Sequence, residues 1–282
     1  MNARRRRNLL FLAIALTVMG PAVVEAGMGV SVSPSRFRFK RPAGESCEGI
    51  IVIENNGTHP VRISTEVADM VARLSEDGFT IRDEAPADTT PHSCARWIQI
   101  MEGEGLNIPP GQTGSLRFVL TPPGEITSGG YGAYLFVLAT PQQPDRMKNP
   151  KTPQATLVTI PRLGVSVIYE VEGAIQRKGN LKELDFIPPT ASNPMEIRYR
   201  FENTGNAEVI LTGTLHITDS QDMLVGKGSL EAIKTFPKEE GRGKIVWTQH
   251  LPKGRYTALV TFELGPDPEE IIVREFHFEV TE

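Results

Sequence analysis

Two cysteines and five histidines hold most of the chemistry this 282-residue chain offers. None of His59, His92, His216, His250 and His277 lies at metal-ligand spacing to another His or Cys. A Gly-x-Ser-x-Gly elbow and a phosphate-cradling Gly loop are both missing from the sequence. The acidic pairs Glu239-Glu240 and Glu269-Glu270 adjoin turn residues. They read as solvated turn charge, not as paired catalytic carboxylates. The expectation is a non-enzymatic chain with no catalytic residue, cofactor or metal.

The cysteines have another use if the chain is exported, and its first residues say that it is. Arg4 to Arg7 form a basic start, Leu9 to Val18 a short apolar run, and Gly20-Pro21 a break. Val24-Glu25-Ala26 then offers small residues where a signal peptidase reads, which places cleavage after Ala26. The apolar run suits a signal-peptide core and is short for a membrane span; the alternative is an anchor that is never cut. No Cys follows the cut, so a lipid anchor is not expected. The Arg run also loosely resembles a twin-arginine signal. No later stretch has the length of a transmembrane anchor, so the expected location is the periplasm or the extracellular space. In that oxidising setting an isolated pair reads as a disulfide between Cys47 and Cys94, worth roughly 4 kcal/mol for so long a loop. The other reading is two buried thiols that never meet.

Charge excludes one partner class. The full chain carries a formal −4, and without residues 1–26 the 26 basic and 33 acidic side chains leave −7. Such a chain has no electrostatic footprint for nucleic acid.

The elements around these residues are strands. Leu116, Phe118 and Leu120 share one face; Leu163, Val165, Val167, Tyr169 and Val171 another; Ile272, Phe276, Phe278 and Val280 a third. Period-two alternation between Gly, Pro and Asn turns marks half-buried antiparallel strands. Trp97 and Trp247 both fall in expected strands, with core packing the default. In the first strand the apolar parity flips between Val30/Val32 and Phe37/Phe39, across Pro34-Ser35. A Pro there lets an edge strand leave one sheet for the other.

The pattern is written twice. Ile51 to Gly57 leading to Val61 matches Tyr199 to Gly205 leading to Val209, each with Glu-Asn-x-Gly, where Asn and Gly are expected to supply positive φ. Ile108-Pro109 before Leu116-Arg117-Phe118 matches Phe236-Pro237 before Ile245-Val246-Trp247. Gly129-Gly130-Tyr131-Gly132-Ala133 matches Gly254-Arg255-Tyr256-Thr257-Ala258. The offset falls from 148 to 125, so the first copy has an insertion, with Ser75 to Ser93 the candidate. The expected fold is all-β: two tandem immunoglobulin-like β-sandwich domains of about seven strands each. The boundaries are 1–26 signal peptide, 27–172 first domain and 173–282 second domain.

The first domain resembles the N-terminal domain of periplasmic pilus-assembly (PapD-like) chaperones. The matching stretches are Val32 to Phe37, Gly49 to Asn55, Ile108-Pro109-Pro110-Gly111 leading to Leu116-Arg117-Phe118, and Leu163 to Val171. The same half also resembles the WxL-interacting surface proteins, through Cys94-Ala95-Arg96-Trp97-Ile98 and Gly129 to Ala133. The chaperone resemblance implies β-strand addition to a protein subunit with an incomplete sandwich or exposed strand edge, along the Ala155–Val171 strand. It also implies a carboxylate anchor made of an Arg on the first strand and a Lys on the last. Arg36 fits the first position; the Lys position falls at or near Ser166, with Arg162 the nearest basic residue. Upstream, Val158 and Ile160 stand opposite the core phase and are the expected partner-facing side chains. Alternatively Arg36 is one of several solvent-facing basic residues alternating with Phe37 and Phe39. The other functional class is a structural or adhesive module that binds cell-envelope polymers or surface proteins.

Overall fold

The computed structural model describes residues 29–142, 159–190, 192–265 and 270–281. The signal peptide, Val158 and Glu269 lie outside them. The first sandwich contains β1 Val30–Ser33, β2 Arg36–Arg41, β3 Cys47–Asn55, β4 Val61–Leu74, β5 Thr80–Pro86, β6 Ile98–Glu102, β7 Asn107–Ile108, β8 Thr113–Leu120, β9 Gly130–Pro141 and β10 Arg162–Val171. The second contains β11 Gly179–Ile187, β12 Met195–Asn203, β13 Val209–Asp219, β14 Leu224–Ser229, β15 Ile233–Thr235, β16 Glu240–Trp247, β17 Gly254–Gly265 and β18 Ile271–Val280. No helix among the described residues is long and apolar enough to cross a membrane.

Sheet β1-β3-β8-β6 packs on sheet β2-β10-β9-β4-β5, in which β7 also pairs with β4. In the second sandwich β11-β12-β16 packs on β14-β13-β17-β18, with β15 beside β13. The alternation seen in the sequence is the core: Leu116, Phe118, Leu120, Val165, Val167 and Tyr169 are fully buried in the first cluster, while Ile272, Phe276, Phe278 and Val280 flank the second. The parity flip is a sheet switch. β1 pairs antiparallel with β3, and beyond Pro34 β2 pairs parallel with β10 in the opposite sheet.

The two copies share their hydrogen bonds as well as their pattern. Asn55 Nδ2 donates to the carbonyls of His59 and Ile108, and its Oδ1 accepts from Gly57 N–H. Asn203 does the same with Ala207, Thr235 and Gly205. Each Asn is buried and closes its turn with its side chain; Gly57 and Gly205 are not among the positive-φ residues, contrary to expectation. Positive φ appears instead at Gly111 (71°) and Lys238 (69°), whose N–H groups donate to the carbonyls of Asn55 and Asn203. This equivalence aligns Pro110-Gly111 with Pro237-Lys238, one residue from the match made on Ile108-Pro109 and Phe236-Pro237. Tyr131 and Tyr256 each donate a hydroxyl to a carbonyl just upstream, Ser128 and Pro252.

The insertion is a hairpin and its return. β4 runs on to Leu74 and pairs with β5. The loop after β5 is gathered by buried Asp69, which accepts from Asp88, Thr89 and Thr90 N–H and from the Ser93 hydroxyl. Trp97 closes a 3-10 turn, Ala95–Trp97, whose N–H reaches back to Cys94, and so precedes the strand in which it was expected. Its ring packs on Tyr131 and Tyr169.

The expected disulfide is not formed. Cys47 and Cys94 are both buried free thiols of the first core. Cys94 Sγ points across the sandwich to the Val167 carbonyl at 3.7 Å, which directs it at β10. Burial raises both thiol pKa values, Cys47 to about 11 and Cys94 further.

Candidate functional site

β10 is expected to be an edge strand along its whole length, and the structure corrects this. From Ser166 to Val171 it is sandwiched between β9 and β2. Among the described residues, Arg162 to Val165 pair with β9 alone. Ser166 N–H donates to Ser35 on the β2 side. Main-chain groups alternate in direction along a strand, so those of Gly164 and Arg162 point to the same, unpaired side. Ile160, just upstream, is 46% exposed, as its phase predicted. The free edge is therefore short and stops where β2 begins, at Ser166 opposite Arg36.

Arg162 does not lie beside Arg36's partners. It lies flat on the Phe136 ring, 3.4 Å from the centroid, and reaches Glu66 (2.9 Å) and Glu84 (2.6 Å) on β4 and β5. The position opposite Arg36, in register, is Ser166.

Arg36 is not simply solvent-facing. Its Nη2 meets Glu208 Oε2 at 2.7 Å, and Arg38 bonds both Glu208 and Glu170. Arg177 binds Glu170 at 2.5 Å and the Glu208 carbonyl at 3.2 Å. Three guanidinium groups thus share two carboxylates where the sandwiches meet. Glu170 and Glu208 are 0% and 2% exposed, while a third of the Arg36 side chain remains open. β2 creates this arrangement: Phe37 and Phe39 face the core, which turns Arg36 and Arg38 toward the second sandwich.

Two further features join the sandwiches, and the second corrects the sequence reading. Gly130 N–H donates to Asn206 at 2.8 Å, and a Cβ on Gly130 would stand 2.9 Å from Ala207 Cβ. A Cβ on Gly132 would overlap the Phe236 ring. The Gly129-Gly130-x-Gly132 run is a seat for the second domain. Glu239, expected in solvent, accepts from Phe236 and Ala72 N–H and pairs with Arg82 at 2.9 Å; Arg82 also covers the Phe236 ring. The insertion hairpin is thereby pinned to the second sandwich. The long sequence separation of these partners hides them from any local pattern.

No family model and no curated protein matches the chain. Solved structures of fimbrial chaperones resemble it over most of its length. The YadV chaperone is 12% identical, with 89% of this chain and 100% of that one covered and a TM-score of 0.44. The class 5 fimbriae chaperone CfaA is 11% identical over 88% and 98%, with a TM-score of 0.43. The E. coli chaperone DraB is 15% identical over 89% and 98%, with a TM-score of 0.42.

Proposed function

We propose that this chain is an exported, periplasmic, non-enzymatic assembly factor that captures a protein subunit of a surface fibre by strand addition at the upstream edge of β10. The observation that carries the reading is the side of Arg162–Val165 left unpaired among the described residues, with exposed Ile160 leading into it. An extended partner segment gains ladder hydrogen bonds there from Gly164 and Arg162 and side-chain contact from Ile160. The exposed third of Arg36 supplies a cation for a terminal carboxylate, with Glu208 holding the rest of the guanidinium.

The test is capture of subunits from the chain's own periplasmic extract, followed by amide exchange of the isolated complex. Capture should slow exchange at Arg162 and Gly164 and fail with the double variant Val158→Lys/Ile160→Lys. Unchanged capture by that variant, or protection confined to other strands, would overturn strand addition. Arg36→Ala should weaken capture by about 2 kcal/mol if the carboxylate anchor operates. Normal capture by Arg36→Ala removes the anchor and leaves the edge.

A further inference from the structure

A block of cations stands on the outer face of the second sandwich, beneath the tip of the insertion hairpin. On β12 and β16, Arg198 is in register with Lys244 and Arg200 with Arg242. Buried Ile197, Tyr199 and Phe201 alternate with the two β12 cations, and buried Gly243 and Ile245 with those of β16, so all four project outward. Like charges placed directly opposite across a strand pair destabilise it. Two such pairs side by side are a cost that folding alone does not explain.

The compensation is one-sided. Arg198 pairs with Glu196 at 3.0 Å, and Arg200 with Glu183 at 2.9 Å and Glu240 at 3.8 Å. Arg200 Nε is shielded from solvent and lacks a hydrogen-bond acceptor among the described residues. On β16, Lys244 has the Phe79 ring 4.5 Å from its Nζ, and the Arg242 guanidinium has no partner among the described residues. Among the described residues the β16 cations thus form no direct ion pair, and Lys244 acts on Glu196 only at longer range. There Asp77, Gly78 and Phe79 of the hairpin tip wall a groove of about 570 Å³ over these residues, and Thr80 Oγ1 accepts from Arg242 N–H at 2.7 Å.

We infer that this groove binds an extended acidic segment of a protein partner, with carboxylates at alternate positions on Arg242 and Lys244. Residues two apart on a strand are separated by about 6.8 Å, the same in an extended ligand as along β16. The carboxylates at the groove's margin, Asp77, Glu183, Asp185 and Glu196, repel a densely charged polymer. They favour two isolated acidic residues between uncharged ones: the planar Arg242 guanidinium grips one carboxylate through paired N–H groups, and the Lys244 ammonium pairs with the other as a point charge. The site is on the second sandwich and does not depend on the β10 edge.

The probe is a seven-residue synthetic peptide with two glutamates separated by one threonine, titrated calorimetrically into the full mature chain at low salt. One-to-one binding is expected, weakened about tenfold at an ionic strength near 0.2 M and at least tenfold by Arg242→Glu. Should Arg242→Glu fail to fold, Lys244→Gln serves as the second variant, with the same direction expected. Three results each overturn the inference: no binding at low salt, equal binding of a peptide whose glutamates are adjacent, or unchanged binding by the folded variants. Binding of polyuronate without binding of the peptide also overturns it and assigns the groove to an anionic polysaccharide. The Val158→Lys/Ile160→Lys variant should bind the peptide normally, which separates this test from that of strand addition.

Discussion

Replacing Glu208 with Ala removes the carboxylate on which two guanidinium groups from the other sandwich converge. The cluster then holds Arg36, Arg38 and Arg177 against Glu170 alone. Breaking a fully buried pair costs about 3–5 kcal/mol, because the remaining charge has neither water nor partner. Here Arg36 is one-third exposed and Arg38 17% exposed, so water recovers part of the loss. The expected cost is about 2–3 kcal/mol. At a urea dependence of about 1–3 kcal/mol/M, that moves the unfolding midpoint by about 0.7–3 M. The chain carries its own reporters, since its two tryptophans, Trp97 and Trp247, lie in different sandwiches. Single-tryptophan forms made with Trp97→Phe or Trp247→Phe read each sandwich separately. With Glu208 present the two transitions should coincide; with Ala they should separate. Glu208→Gln, which keeps an acceptor and loses the charge, should fall between. A midpoint shift equivalent to less than about 0.5 kcal/mol would refute the reasoning. So would a double-mutant cycle with Arg38→Ala that shows no coupling.

Lys238 occupies the left-handed position that Gly111 takes in the first copy, so Lys238→Gly should stabilise the second sandwich by about 0.5–1 kcal/mol in thermal or urea unfolding. Burial alone would raise the Asp69 pKa, but the Ser93 hydroxyl and the Thr90, Asp88 and Thr89 amides outweigh it and lower it below 3.8. A depressed carboxylate contributes stability above its unfolded pKa and loses it as pH falls through the folded one, so Asp69→Asn should flatten the loss of stability below about pH 4. A thiol reagent should meet neither Cys47 nor Cys94 in the folded chain and both after denaturation without reductant. Denatured, unreduced protein with no titratable thiol would reinstate the disulfide.

Much of the fold is legible because each strand records its own burial. The β8 and β10 faces, the sheet switch at Pro34 and the doubled Asn turn all follow from residues close in sequence. The exposed phase of Ile160 is readable for the same reason. What escapes is decided at a distance. Nothing near Leu163 to Val171 announces that β2 will cover its second half. That follows only from Pro34 moving β2 into the opposite sheet.

The same limit explains the cations and the glycines. Arg36 alternates with Phe37 and Phe39 as any exposed basic residue would, until Glu208, 172 positions away, fixes its direction. Gly130 and Gly132 resemble a strand weakened by missing side chains until Ala207 and Phe236 fill the space. The copies themselves show what became of these positions. The second sandwich has Arg255 and Thr257 where the first has Gly130 and Gly132, at the offset of 125 that both tyrosine hydroxyls support. Side chains are tolerated on β17, whereas β9 must admit a neighbouring domain. The difference between two copies of one strand thus marks where the sandwiches meet. Glu239 extends the argument, because its counterpart at the offset of 127 is Gln112. Only the copy that receives the inserted hairpin places a charge at this position, and Arg82 on that hairpin is the cation it meets.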